Sequence, residues 1–170
     1  MSIAALLPRW RVPLGFAAAA VALWLASPTP GTLAAGAVVA VAGEALRVWA
    51  AGHLEKGREV TSSGPYRYLR HPLYAGSALL GLGLIIAAAS LPVALVTTAY
   101  LVIMLLAAAR SEEAALRSQF GGAYDAYAAG KLEYGGRRFS LARVRRNREY
   151  RAIAGLVAVL GVLTVKALVG

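Results

Sequence analysis

In a chain of 170 residues, 59% of them apolar, the formal net charge is +10; there is no cysteine, and histidine occurs only at His53 and His71. The mean hydropathy of +0.61 is too high for an ordinary water-soluble domain of this length. Disulfides, thiolate metal sites and cysteine nucleophiles are excluded, and two histidines are too few for a metal cluster, so no metal is expected.

Apolar runs cover residues 12–27, 32–52, 73–89, 91–109 and 152–168, each close to the length that crosses a hydrocarbon layer about 30 Å thick. The expected fold is therefore all-α, a single-domain integral membrane bundle of about five transmembrane helices. Arg9 and Arg11 precede the first run as they would precede a secretory signal, but that run is longer than the usual signal core and leads through Ser27-Pro28-Thr29-Pro30 into another span. It is read as a retained helix, with Trp10 and Trp24 as interfacial aromatics.

The positive charge sets the topology. If the N-terminus lies inside, the inner side receives Arg9, Arg11, Lys56, Arg58, Arg67, Arg70 and the run from Arg110 to Arg151, while the outer side receives Lys166. This pattern predicts an N-in, C-out protein of the cell (inner) membrane. It also accounts for the basic charge without nucleic acid, and no nucleic-acid partner is expected.

Within the second span, Glu44 and Arg47 share a face at a spacing of three. Ionisable groups at membrane depth are costly, so the pair is either a functional element or a structural ion pair with Arg47 reaching toward headgroups. From His53 the chain turns polar, and Thr61-Ser62-Ser63-Gly64-Pro65 reads as a turn. The next stretch, GPYRYLRHPLYAG over 64–76, crowds aromatic, basic and imidazole side chains between two apolar runs. Pro72 pushes His71 out of helical geometry and suits a first helical turn, so the third span begins there. Its first amides, with Arg70 and His71, favour an anionic group such as a carboxylate or phosphate.

Gly81-Leu82-Gly83 sits inside an apolar helix with no preceding strand, which excludes a nucleotide-binding glycine loop. Gly76, Ala78, Gly81 and Gly83 are read as small residues that let helices pack closely. The third and fourth spans are joined near Ser90 and Pro92, a tight antiparallel hairpin. Beyond the fourth, Glu112-Glu113 is followed by Leu116, Phe120, Tyr124 and Tyr127 at helical spacing, an amphipathic extension out of the membrane. The carboxylate pair is either a solvated helix exit or a holder for a cationic ligand. The very basic stretch 135–151 is expected to lie on anionic headgroups, so membrane lipids are partners in their own right.

Arg47-Val48-Trp49-Ala50, Gly64-Pro65-Tyr66, Arg70-His71-Pro72-Leu73-Tyr74-Ala75-Gly76 and Glu112-Glu113 with Leu116, Phe120-Gly121, Tyr124 and Tyr127 together resemble the isoprenylcysteine carboxyl methyltransferase and phospholipid methyltransferase superfamily. Its members are integral membrane enzymes that share R-H-P-x-Y-x-G followed, after a helical hairpin, by E-E. The likeness covers a motif core of about 45–127, with the basic loop 135–151 and the C-terminal helix 152–168 outside it.

The resemblance implies transfer of a methyl group from S-adenosyl-L-methionine at the cytosolic membrane face to the O or N of a lipidic or amphiphilic acceptor. By position, the cofactor pocket would be Arg58, Glu59, Val60, Thr61, Tyr66, His71, Pro72, Leu73, Tyr74 and Glu112, with Arg70 and Glu113 in catalytic roles. A carboxylate at Glu112 suits the cofactor's ammonium, while Arg70, His71 and the helix-start amides suit its carboxylate. An amine acceptor must also lose a proton, for which Glu113, Glu44 or a tyrosine is placed in sequence.

The pattern departs in one informative position. Carboxyl-methylating relatives carry a substrate-binding arginine one turn before the glutamate pair, where this chain has Ala108, which counts against a prenylcysteine carboxylate as acceptor. Rival readings are a sterol- or steroid-type membrane reductase using NADPH and a non-catalytic membrane scaffold. Glu112-Glu113 argues against the first, since a polyanionic dinucleotide would be repelled there.

Overall fold

The computed structural model describes residues 15, 17–131 and 135–169, and among these every regular element is helical. The elements are α1 (residues 17–25), α2 (Pro30–His53), a 3₁₀ turn (Gly64–Arg67), α3 (Pro72–Ala88), α4 (Leu91–Phe120), α5 (Gly122–Ala128), α6 (Leu141–Arg146) and α7 (Tyr150–Val169). Arg9, Trp10, Arg11 and residues 12–14 of the expected first span lie outside the described residues.

Among the described residues three helices, α2, α4 and α7, are long and apolar enough to cross a membrane, and α3 is a shorter apolar helix of 17 residues. At a rise of about 1.5 Å per residue α3 spans about 26 Å, slightly less than the hydrocarbon layer. The distribution of side-chain size is that of a membrane protein. Exposed positions carry Val38, Leu95, Ile103, Leu106, Val157 and Val165, whereas Gly36, Ala40, Gly43, Ala50, Ala87 and Ala88 are buried.

Small residues sit inside because α2 and α3 touch backbone to backbone. A Cβ added at Gly36 would meet the backbone of Gly83 and Ala87, and one at Gly83 would meet Gly36 and Ala40. One helical repeat along, Gly43 lies against Gly76 and Leu80 in the same way, and at Gly76 a Cβ would stand 2.6 Å from Cγ of Arg47. The expected role of Gly76 and Gly83 in close packing is thus realised against α2, while Gly81 faces Leu101 of α4.

Caps fix the helix ends. At the start of α2, Thr29 and Thr32 cap each other reciprocally, and Pro30 supplies a first-turn residue that needs no N–H partner. The α3–α4 hairpin turns on Ala89 in the left-handed region (φ 47°) and Ser90. At the opposite end, Gly121 (φ 51°) breaks the expected continuous extension into α4 and α5, so Glu113 and Phe120 sit on one helix and Tyr124 and Tyr127 on the next. The carbonyls closing α1 accept from Lys166 of α7, at 2.9 Å for Leu23 and 2.6 Å for Trp24.

The basic stretch after residue 135 folds back onto the end of α2. Arg143 Nε donates to the Gly52 carbonyl at 2.6 Å, Asn147 Nδ2 to Ala51 and Leu54 at 2.9 and 3.1 Å, and Arg137 to His53 at 3.4 Å. Arg146 pairs with Glu55 and Arg137 with Glu59. Cations and donors at a helix C-terminus complement its free carbonyls, so part of the stretch serves α2, while Arg138, Arg145, Arg148 and Arg151 remain exposed.

Gly43→Val forces α2 and α3 apart and is expected to lower stability by at least about 1–3 kcal/mol. Thermal unfolding in detergent checks this; an unchanged transition would show that the helices have room to spare.

Candidate active site

The site lies where the His53 end of α2, the 3₁₀ turn, the start of α3 and the outer end of α4 meet. Its entry is shaped by Gly64, whose φ of 58° suits glycine and whose missing side chain admits the His53 ring; an added Cβ would stand 2.5 Å from that ring. His53 Nδ1 lies 3.1 Å from Ser63 Oγ. This packing turns the chain so that Pro65 and Tyr66 are buried beneath the loop.

From the turn the chain reaches His71, the residue before α3, in a non-helical conformation (φ −128°, ψ 64°), since the following proline disfavours the helical region there. Its Nε2 lies 2.9 Å from Oε1 of Glu113 on α4, and its ring stacks on Tyr74 with centroids 5.6 Å apart. A carboxylate accepting at Nε2 fixes the proton there and leaves Nδ1 as the second ring nitrogen. No side chain caps α3, so the Leu73 amide is available to an acceptor group.

Glu113 also has Arg117 at 3.9 Å; Arg117 in turn pairs with Asp125 at 3.3 Å and lies over the Tyr124 ring. Glu112 is half-buried and makes no hydrogen bond or ion pair with the described residues. It is close enough to Tyr66 to act on it. Burial first, then the charge of Glu112, pushes the Tyr66 hydroxyl far above the ordinary tyrosine range, so it stays protonated and can donate at any physiological pH. Tyr124 is likewise raised, by burial and then by Glu113.

Tyr127 holds the site from α5, its hydroxyl donating to the carbonyls of Tyr66 at 2.9 Å and Leu69 at 3.4 Å. Arg70, exposed, donates to the Ala128 carbonyl at 2.8 Å and so clamps the end of α5. Of the residues expected from sequence, the fold brings together Tyr66, His71, Pro72, Leu73, Tyr74, Glu112 and Glu113. The loop carrying Arg58, Glu59, Val60 and Thr61 borders them: Thr61 Oγ1 accepts from the Glu55 amide at 3.3 Å, Glu59 pairs with Arg137 at 2.7 Å, and Gln119 of α4 donates to the Gly57 carbonyl at 2.8 Å.

One participant was not foreseen. Glu44 and Arg47 pair at 3.4 Å as their spacing implied, but Arg47 reaches Glu149 at 2.5 Å and Ser77 of α3 instead of headgroups. Glu149, 5% exposed, immediately precedes α7 and holds Arg47 beside the start of α3. Its signal was hidden in a run of arginines, where a lone glutamate reads as surface balance.

An all-helical membrane bundle with an imidazole–carboxylate pair and a second, uncommitted carboxylate at one polar end defines the class. A family model described as phospholipid methyltransferase matches residues 14–123, and the chain belongs to that family. It is a membrane methyltransferase. No curated protein and no solved structure matches the chain.

Gly64→Ala is expected to cost about 1–3 kcal/mol, from the left-handed backbone and the displaced His53 ring together. Thermal unfolding measures it; a neutral result would mean that the turn can re-form with His53 elsewhere.

Proposed function

We propose that the protein transfers the methyl group of S-adenosyl-L-methionine to a lipidic or amphiphilic acceptor at the cytosolic face of the cell (inner) membrane. The observation that carries this reading is Glu112, a half-buried carboxylate with no protein partner among the described residues, set beside buried Tyr66 and one residue from the Glu113 that holds His71. A free carboxylate suits the cofactor's ammonium, and the uncapped Leu73 amide with Arg70, which keeps further donors besides the one on Ala128, suits its carboxylate. Tyr66 and Tyr74 offer ring faces, and the 58–61 loop would supply the remaining wall for the nucleoside part. The residues present fit this cofactor.

When bound, the cofactor supplies a methyl group already activated on a sulfonium, so the protein has mainly to align the acceptor and exclude water. For an amine acceptor, His71 Nδ1 can take the proton that must leave, while Glu113 on Nε2 stabilises the resulting imidazolium; Arg117 keeps that carboxylate in place. A carboxylate acceptor needs no such step.

Orientation follows from charge. Every described Lys or Arg except Arg47 within α2 and Lys166 lies at the end of the bundle carrying His71 and Glu113, which supports a cytoplasmic site and the N-in, C-out topology.

Calorimetry on the detergent-purified protein should find S-adenosylmethionine and S-adenosylhomocysteine binding and no NADPH binding. Glu112→Gln is expected to weaken binding about 10- to 100-fold, the worth of a charge-assisted hydrogen bond, with thermal stability unchanged. Unchanged affinity in that variant would sink the role of Glu112. NADPH binding alone would replace methyl transfer by a reductase activity.

A further inference from the structure

The guanidinium of Arg47 is a fork whose three nitrogens go to three separate segments. Nε lies 3.4 Å from Glu44 on α2, Nη1 donates to Ser77 Oγ on α3, and Nη2 lies 2.5 Å from Glu149, the residue before α7. Because the group is planar and rigid, holding Nη2 fixes where Nη1 points. Glu44 cannot set that direction relative to α3, since it sits one turn away on the same helix as Arg47 and moves with it. Close packing does not set it either. The stem of Arg47 passes Gly76, but Arg47 and Ser77 both line a cavity of about 430 Å³, whose walls are otherwise chiefly apolar and come from α1, α3, α4 and α7.

Ser77 passes the constraint on. Its Oγ accepts from Arg47 and donates to the Leu73 carbonyl at 2.8 Å, in the first turn of α3. In the same turn the His71 carbonyl accepts from the Tyr74 and Ala75 amides at 3.1 and 3.0 Å, and the His71 ring stacks on Tyr74 while reaching Glu113 at 2.9 Å. We infer that Glu149 is a positioning residue: through Arg47 and Ser77 it sets the first turn of α3 and with it the meeting of His71 and Glu113. That the pair so placed is an active site rests on the methyl-transfer reading above.

The segment before α7 is shaped to deliver this carboxylate. Arg143 and Asn147 bond the last carbonyls of α2, which ties α6 to the helix that carries Arg47. Arg148 then takes a positive φ of 60°, an uncommon conformation for a residue with a Cβ, and the turn buries Glu149 between exposed Arg148 and exposed Tyr150. The Glu149 amide donates to the Val144 carbonyl at 3.2 Å and its carbonyl accepts from the Ala152 amide at 2.9 Å, so its backbone is held on both sides. All of this lies beyond residues 14–123, the part matched to the family. A segment outside the matched helices thus governs the geometry within them.

The test is ring-nitrogen NMR of the full chain in detergent, with isotopically labelled histidine, at about pH 8, where an ordinary imidazole is neutral. His53 and His71 are the two histidines, and His71→Gln identifies the signals of His71. In the wild type His71 should show one tautomer, protonated at Nε2. In Glu149→Gln and in Ser77→Ala its two nitrogen signals should move toward each other as the tautomers mix. The double variant should move them no further than the larger single change, because both cut one chain of contacts. Leu163→Ala, which opens the cluster of α7 with Ala87 and Ala88, should lower thermal stability and leave the His71 signals in place. Unmoved signals in Glu149→Gln, an equal displacement in Leu163→Ala, or additive displacements in the double variant would overturn the inference. Should Glu149→Gln fail to fold, Glu149→Asp, which keeps the charge and shortens the reach by a methylene, carries the same cycle with Ser77→Ala. Displaced His71 signals in a protein whose wild type binds no S-adenosylhomocysteine would support the positioning role and refute methyl transfer.

Discussion

A guanidinium half-buried between helices has to be paired, and the pairing of Arg47 is the constraint on which the arrangement of the bundle depends. It joins Glu44 one turn earlier on α2, Ser77 on α3 and Glu149 at the entrance to α7. Unpaired, any one of these charges would cost several kcal/mol at this depth. The triad carries two carboxylates for one guanidinium. It therefore acts as a latch as well as a neutraliser: three segments distant in sequence are held in one register by one half-buried group.

The latch works only because α2 and α3 are in contact. Gly76 leaves the space through which the Arg47 side chain passes, and the Gly36–Gly83 and Gly43–Gly76 contacts bring the two backbones together. Lipid offers no hydrophobic force between helices, so dispersion contact of this kind and a few polar links must do the work. The consequence reaches the site, because the start of α3 is placed by the same packing. His71 meets Glu113 only if α3 emerges where it does.

How much of this was legible in the sequence depended on the range of the interaction. The long apolar helices α2, α4 and α7 and the shorter α3 could be read from hydropathy, the α3–α4 hairpin from Ser90 and Pro92, and the Glu44–Arg47 pair from helical spacing. The motifs named both His71 and the glutamates. Which glutamate meets the imidazole was not readable: neighbouring residues point about 100° apart on a helix, and the phase of α4 against α3 is set by packing. The glycine break at Gly121 looked like part of the motif, and its positive φ was invisible. Glu149 was unreadable for a different reason, since its partner lies about a hundred residues away and nothing local distinguishes it from a solvated charge.

The family match covers the helices that make the polar site and stops before the segment that latches them. In the described residues α7 and Glu149 supply one wall of the apolar cavity and the second partner of Arg47. The imidazole–carboxylate pair joins the residue before α3 to α4, and its geometry rests on the hairpin together with the α2–α3 contact that places the start of α3. The α7 wall packs against that hairpin, with Leu163 in one cluster with Ala87, Ala88 and Val93, while Glu149 at its entrance holds Arg47. A change at Leu156 or Val159 alters the cavity volume, whereas a change at Glu149 leaves the half-buried Arg47 short of a partner and loosens the contact of α7 with α2 and α3. The two kinds of substitution differ in physical consequence although they are neighbours in sequence.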